Sequence, residues 1–198
     1  FTATLRSEGI DYRVGFVNGA IQSTCSNKKA CISTDFLGGV LTPGMGSSTE
    51  AQIISQVANP LSANYSVHLE TADQILRLKG SSFLRSSAQL VIVFVSDSDD
   101  KSDLVSGLSG SLTPAGYAAK FKAYKSNPDY VSSRAVVYGM SPGCPISGTN
   151  GTSTGTRIAQ SATATDHLGS DVVQCITSNF ANTLQNLAVN VTVPKDRF

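Results

Sequence analysis

Four aspartates follow an apolar run near the middle of the chain. Residues 90–95 (LVIVFV) lead into SDSDDKSD, which carries Asp97, Asp99, Asp100 and Asp103. Clustered carboxylates of this kind can bind a cation or another polar ligand. Asp97 and Asp99 also match the D-x-D pattern of phosphoryl transfer, in which one carboxylate attacks and the other acts as acid and base. A third interpretation is an acidic loop that ends a strand in solvent and binds nothing.

The apolar run itself predicts the element that would position these aspartates. β-Branched residues without a polar face are typical of a central strand in a parallel sheet, because helices cover both of its faces. Further strands are predicted at residues 12–17, 134–140 and 171–176, alternating with helices. This order indicates a doubly wound, mainly parallel α/β sheet with helices on both faces. Ligands bind such sheets at the carboxyl ends of the strands, where we expect the aspartates to lie.

Two predicted helices flank the central strand. The first spans residues 67–79, with Ser66 as its N-cap and Gly80 as its C-cap. The second begins at Thr113 and Pro114, because proline is favoured in the first turn of a helix. Ser66 and the acidic loop are therefore expected to converge on one crevice.

Composition excludes some classes of partner. The 198 residues, 40% of them hydrophobic, suffice for one domain with its own core. Fifteen basic residues against fourteen acidic ones give a net charge of +1, so no global field attracts nucleic acid or anionic lipid. No apolar run approaches the roughly 20 residues of a membrane span. The low content of charged residues, 15%, is more usual in exported proteins.

The four cysteines favour disulfides over a metal site. Cys25, Cys31, Cys144 and Cys175 lack the paired C-x-x-C spacing of zinc ligands. Of the three possible pairings we favour Cys25 with Cys31, which closes the loop CSNKKAC, and Cys144 with Cys175, each near the end of a predicted strand. Four buried thiols are the alternative. Disulfides would indicate an oxidising compartment.

Several stretches together resemble the von Willebrand factor A domain, above all its bacterial secreted or cell-surface members. The resemblance is carried by FLR at residues 83–85, by the LVIVFVSDSDD strand and loop, and by the helix start SVHLE at residues 66–70. LRSEGIDYRVGFV near the start is similar to the end of that domain's first helix and its second strand. The closing segment, from Arg157 through VVQCITSNFANTLQNL, is similar to its last helices and strand. The domain would span residues 1–188, with 189–198 as an exit strand or linker.

The resemblance implies a metal-ion-dependent adhesion site. Asp97 matches the acid of its third loop and Ser66 the hydroxyl of its second, with Asp99 and Asp100 as acidic neighbours of the ligands; Mg²⁺ would keep a position open for a partner's carboxylate. The family's first strand carries a D-x-S-x-S motif, which these 198 residues lack. We therefore expect an N-terminally incomplete domain, whose first strand comes from the remainder of its own chain or from a complementing segment. The 198 residues alone should bind Mg²⁺ weakly or not at all.

Two functions follow as hypotheses. The first is a non-enzymatic adhesion or protein-interaction module, extracellular or on the cell surface with the periplasm as an alternative, that binds a protein or surface ligand. The second is a haloacid dehalogenase-like, Mg²⁺-dependent phosphohydrolase that uses Asp97 and Asp99. Against the second, Lys101 stands where that pattern has Thr or Val, and no later acidic pair offers metal ligands. His68 and His167 are isolated in sequence and indicate surface or packing residues.

Overall fold

The chain alternates helices with mostly short strands, as the sequence pattern predicts. The structure, a computed structural model, describes residues 2–22, 24–57, 65–96, 98–103, 105, 112–138, 156–166, 173–176, 182 and 185–186. Its main helices are α1 (Thr2–Ser7), α2 (Ser47–Val57), α3 (His68–Phe83), α4 (Pro114–Ala123) and α5 (Thr156–Thr165). Its strands are β1 (Val14–Gly15), β2 (Ala20–Ile21), β3 (Val40–Leu41), β4 (Tyr65–Ser66), β5 (Leu90–Ser96), β6 (Val131–Tyr138) and β7 (Val173–Ile176).

The three longest strands form one parallel sheet in the order β5-β6-β7. Its register pairs Leu90 with Val131 and Ala135 with Val173. The predicted strand at residues 90–95 is thus confirmed as part of a parallel sheet in a mixed α/β fold. Within the described residues it lies at the edge of that sheet, and Val95 is 44% exposed.

The main core joins this sheet to three helices. Its buried side chains come from α3, β5, α4, β6 and α5: Leu69, Leu76, Leu90, Phe94, Tyr117, Phe121, Val131, Ala135, Ile158 and Ala162. The predicted helix start at Thr113 and Pro114 is confirmed, since Thr113 Oγ1 accepts a hydrogen bond from Gly116 N at 3.1 Å. This packing fixes α3 and α5 relative to the carboxyl end of β5.

The N-terminal part departs from the prediction. Of residues 12–17, only β1 is a strand, and it pairs antiparallel with β3 instead of joining the parallel sheet. A second antiparallel pair is formed by β2 and β4. In this part Gly15 packs against the Phe36 ring and Gly19 against the His68 ring, and neither position leaves space for a Cβ.

Helix α3 also begins and ends at residues other than those predicted. Gly80 lies buried inside the helix, which continues to Phe83 and ends where Leu84 N donates to Gly80 O at 2.8 Å. At the start, Val67 occupies the N-cap position without a side-chain cap, so Ser66 as N-cap is wrong. Ser66 is held extended because it pairs with Ala20 across β2 and β4. No helix in the described ranges is long and apolar enough to cross a membrane.

Candidate functional site

The loop after β5 wraps around the N-terminus of α3. Lys101 N donates to Ser66 O at 2.6 Å, immediately before the helix. Leu69 N donates to Asp100 Oδ1 at 3.0 Å, and Glu70 N donates to Ser102 Oγ at 3.3 Å. The first turn of a helix has N–H groups without partners inside the helix. Here a loop some thirty residues further along the chain satisfies two of them.

Three serine hydroxyls meet where β5 ends. Ser66 Oγ and Ser98 Oγ are in hydrogen-bond contact, and either can be the donor. Ser96 Oγ donates to Ser98 O at 2.8 Å and accepts from Ser98 N at 3.2 Å. His68 Nε2 lies 2.8 Å from Ser96 Oγ. Which of the two donates in this contact depends on the tautomer of the His68 ring.

Asp100 is a buried cap for α3. Its residue is 2% exposed, and its two carboxylate oxygens accept hydrogen bonds from Leu69 N, Ser102 N and Ser102 Oγ at 2.9–3.2 Å. Burial raises the pKa of the Asp100 carboxyl, while these hydrogen bonds and the Arg157 charge lower it. Removing the carboxylate from water therefore outweighs the gain from its partners. The Asp100 carboxylate therefore serves mainly to hold the loop against α3, and less as an open ligand position.

Asp99 performs a similar role for α5. Its Oδ1 accepts from Asp100 N at 2.9 Å and from Arg157 N, in the first turn of α5, at 3.1 Å. A carboxylate at a helix N-terminus also interacts favourably with the helix dipole. The acidic loop thus connects the N-termini of α3 and α5.

The Arg157 side chain reinforces this connection. Its Nε lies 3.4 Å from Asp100 Oδ2 and its Nη1 lies 3.3 Å from Asp103 Oδ2. Its Nη2 donates to Leu112 O at 3.2 Å. One guanidinium therefore compensates two of the four aspartates and holds the loop against α5.

A buried hydrogen bond supports the same end of α3 from the side of α4. Tyr117 OH donates to Glu70 Oε2 at 2.6 Å, and the two residues are 0% and 4% exposed. Burial and then the hydrogen bond to Glu70 raise the pKa of the Tyr117 phenol. The phenol therefore stays protonated and continues to donate.

The structure brings together three of the predicted site residues. Ser66, Asp99 and Asp100 all belong to the junction of α3 with the loop after β5. Asp97, the predicted metal ligand, and His167 lie outside the described residues. Sequence reasoning missed the hydroxyl partners and the arginine: Ser96, Ser98, Ser102 and Arg157. The serines alternate with the aspartates, which is a usable signal, whereas no local pattern marks Arg157.

The structure places Cys25 and Cys31 at disulfide distance, with their Cα atoms 6.4 Å apart, in agreement with the first predicted pairing. The proposed pairing of Cys144 with Cys175 falls on side chains outside the described part of the chain and stays a prediction.

The oxygen donors at this junction fit the predicted cation in type. Among the described residues, no three or more His, Cys, Asp or Glu side chains form a group that could hold a metal ion. The Ser66 and Ser98 hydroxyls are hard oxygen donors of the kind Mg²⁺ accepts, and Ser98 directly follows Asp97 in sequence. A search of protein-family models, curated proteins and solved structures finds no match to this chain.

Proposed function

We propose that this chain is an adhesion or protein-interaction module of a bacterial secreted or cell-surface protein. Its fold would be doubly wound and similar to the von Willebrand factor A domain, with helices on both faces of the sheet. It would bind its partner through Mg²⁺ held by Asp97 and Ser66. The Cys25–Cys31 disulfide supports an extracellular location, because disulfides persist in oxidising compartments.

The contact between Ser66 Oγ and Ser98 Oγ carries this proposal. These residues are 32 positions apart in sequence, and Ser98 directly follows Asp97. The contact supports a shared site because it joins the two loops that the resemblance assigns to the metal. Lys101 N supports it further by donating to Ser66 O.

The cation would supply a coordination position that a carboxylate of the partner can occupy. The chain's own residues would hold the rest of the site in place. Asp100 and Ser102 fix the loop against α3, and Asp99 and Arg157 fix it against α5. This use of the Asp99 carboxylate favours the adhesion module over a phosphohydrolase, in which that carboxylate would have to exchange protons with substrate.

Mn²⁺, a paramagnetic substitute for Mg²⁺, tests the site in this chain even when binding is weak. We expect Mn²⁺ to broaden the amide resonances of Ser66 and Ser98 first. Asp97→Ala should abolish this selective broadening, whereas Asp103→Ala, which removes an equal charge from the same loop, should preserve it. Broadening that persists in Asp97→Ala, or that centres on Asp103 in the wild type, would overturn the metal assignment.

A further inference from the structure

A disulfide-closed loop lies directly beside the proposed site. Strand β2 pairs with β4 so that Ala20 lies opposite Ser66 and Ile21 opposite Tyr65. The chain leaves β2 at Ile21 and enters the loop of residues 25–31, which the Cys25–Cys31 disulfide closes. We call residues 25–31 the lysine loop, since it contains Lys28 and Lys29.

The base of the lysine loop is anchored in the hydrophobic core. Ile21 before the loop and Ile32 after it are each 2% exposed and pack in one cluster with Val67 and Val105. Tyr65 packs against the same cluster. Because Tyr65 and Val67 flank Ser66 in sequence, the cluster fixes the loop relative to the site. Inside the loop, Asn27 Oδ1 accepts from Ala30 N at 3.3 Å and adds local order.

The lysine loop brings positive charge to this edge of the site. Lys28 Nζ lies 5.2 Å from the centroid of the Tyr65 ring, within cation–π range. Lys29 is exposed. The chain contains no Asp or Glu between Asp11 and Asp35, so the charged residues of the loop itself are both positive.

Part of the negative charge of the nearby acidic loop is already balanced by Arg157. Asp99 and Asp100 accept main-chain N–H groups, and Asp100 and Asp103 face the Arg157 guanidinium. A third lysine, Lys101, lies next to Ser66 through its main-chain hydrogen bond. The surroundings of Ser66 therefore combine hydroxyl groups with Lys101 and, across the Tyr65 ring, with Lys28 of the lysine loop.

We propose that the lysine loop is a recognition element for an acidic segment of the partner. The inference deepens the proposed function and rests on it: one carboxylate of the segment would reach the cation, and flanking carboxylates would meet Lys29. Complementary charge of this kind chiefly sets specificity and the rate of association. The disulfide and the packed isoleucines hold the loop in place before binding, which reduces the entropy lost on association.

Labelled hexaglutamate in the presence of Mg²⁺ is a suitable probe, with hexaglutamine as its uncharged counterpart and fluorescence anisotropy as the readout. We expect hexaglutamate alone to bind, with an affinity that falls when NaCl is raised from about 0.05 M to about 0.5 M. Lys29→Glu should weaken binding about fivefold, since it replaces an exposed attraction by a repulsion. Arg77→Glu is the matched control, because Arg77 is exposed like Lys29 and lies about 14 Å along α3 from His68.

The outcomes separate this inference from the proposed function. Equal weakening by Lys29→Glu and Arg77→Glu, unchanged binding in Lys29→Glu, equal binding of hexaglutamine, or no binding of hexaglutamate would overturn the role of the lysine loop. If Asp97→Ala and Mg²⁺ removal leave hexaglutamate binding intact while Lys29→Glu weakens it, the role of the lysine loop is supported and the cation site is refuted. If Asp97→Ala abolishes binding and Lys29→Glu does not affect it, the cation site is supported and the role of the lysine loop is refuted.

Discussion

Replacement of Asp100 tests whether the acidic loop serves as a cap for α3. Asp100→Ala removes the acceptor for Leu69 N, and loss of an N-terminal cap costs about 1 kcal/mol. It also removes the acceptor for Ser102 N and Ser102 Oγ, at about 1 kcal/mol for each net hydrogen bond. Arg157 keeps Asp103 and the Leu112 carbonyl, which limits the further loss. We expect the free energy of unfolding to fall by about 3 to 4 kcal/mol in total.

Two further variants provide comparisons for the stability loss expected in Asp100→Ala. Asp100→Asn retains an acceptor for Leu69 N but turns an NH₂ group toward Ser102 N and Arg157 Nε, so we expect a loss of about 1 to 2 kcal/mol. Asp103→Ala removes a more exposed carboxylate from the same guanidinium and should cost less than about 1 kcal/mol. Urea unfolding followed by far-UV circular dichroism measures all three. If Asp100→Ala costs no more than Asp103→Ala, the capping role of Asp100 is refuted.

The pH dependence provides an independent check on Asp100. Burial raises its pKa in the folded chain above the ordinary value of 3.8, so the folded state binds this proton more tightly than the unfolded state. The stability linked to the proton is complete below about pH 3.8 and is lost as the pH rises through the raised pKa. The difference in unfolding free energy between wild type and Asp100→Asn should therefore narrow as the pH rises. A difference that widens instead would contradict the assigned burial cost.

Two other predictions concern the supports of the site. Tyr117→Phe leaves the buried Glu70 carboxylate without its phenol donor. This variant should lower the free energy of unfolding by about 2 kcal/mol, measured by urea titration. An unchanged urea midpoint would show that this hydrogen bond does not contribute to stability. Replacing Cys25 and Cys31 together by serine opens a short loop. The free energy of unfolding, measured by the same assay, should fall by about 2 kcal/mol. A stability equal to that of wild type would show that the disulfide does not constrain the unfolded chain.

Local patterns in the sequence predicted local structure well. The apolar residues 90–95 predicted β5 because strand residues with two apolar faces need little information beyond their own types. Thr113 and Pro114 predicted the start of α4 for the same reason, since a capping hydroxyl and a first-turn proline act within a few residues. The Cys25–Cys31 pairing also depends on a short spacing.

The same local reasoning was wrong where a distant segment competes. Ser66 has the residue type of an N-cap, but its pairing with Ala20 in a strand prevents that role. Leu69 N, which an N-cap at Ser66 could have bound, donates instead to Asp100, and Glu70 N donates to Ser102, both more than thirty residues away from Ser66. Propensity describes what a residue can do with its neighbours in sequence, and tertiary contacts decide which of these options is used.

By itself, the sequence determined that four aspartates, interspersed with serines, follow an apolar strand. It also determined that the chain is nearly neutral. Only the tertiary structure decided which of the aspartates are used as helix caps, because Asp99 meets the first turn of α5 across 58 residues and Asp100 meets Arg157 across 57. It also decided that the lysine loop lies beside Ser66, through the pairing of β2 with β4 and the burial of Ile21 and Ile32 in one cluster. These placements depend on how the helices and strands pack around a shared core, and no short stretch of sequence contains that information.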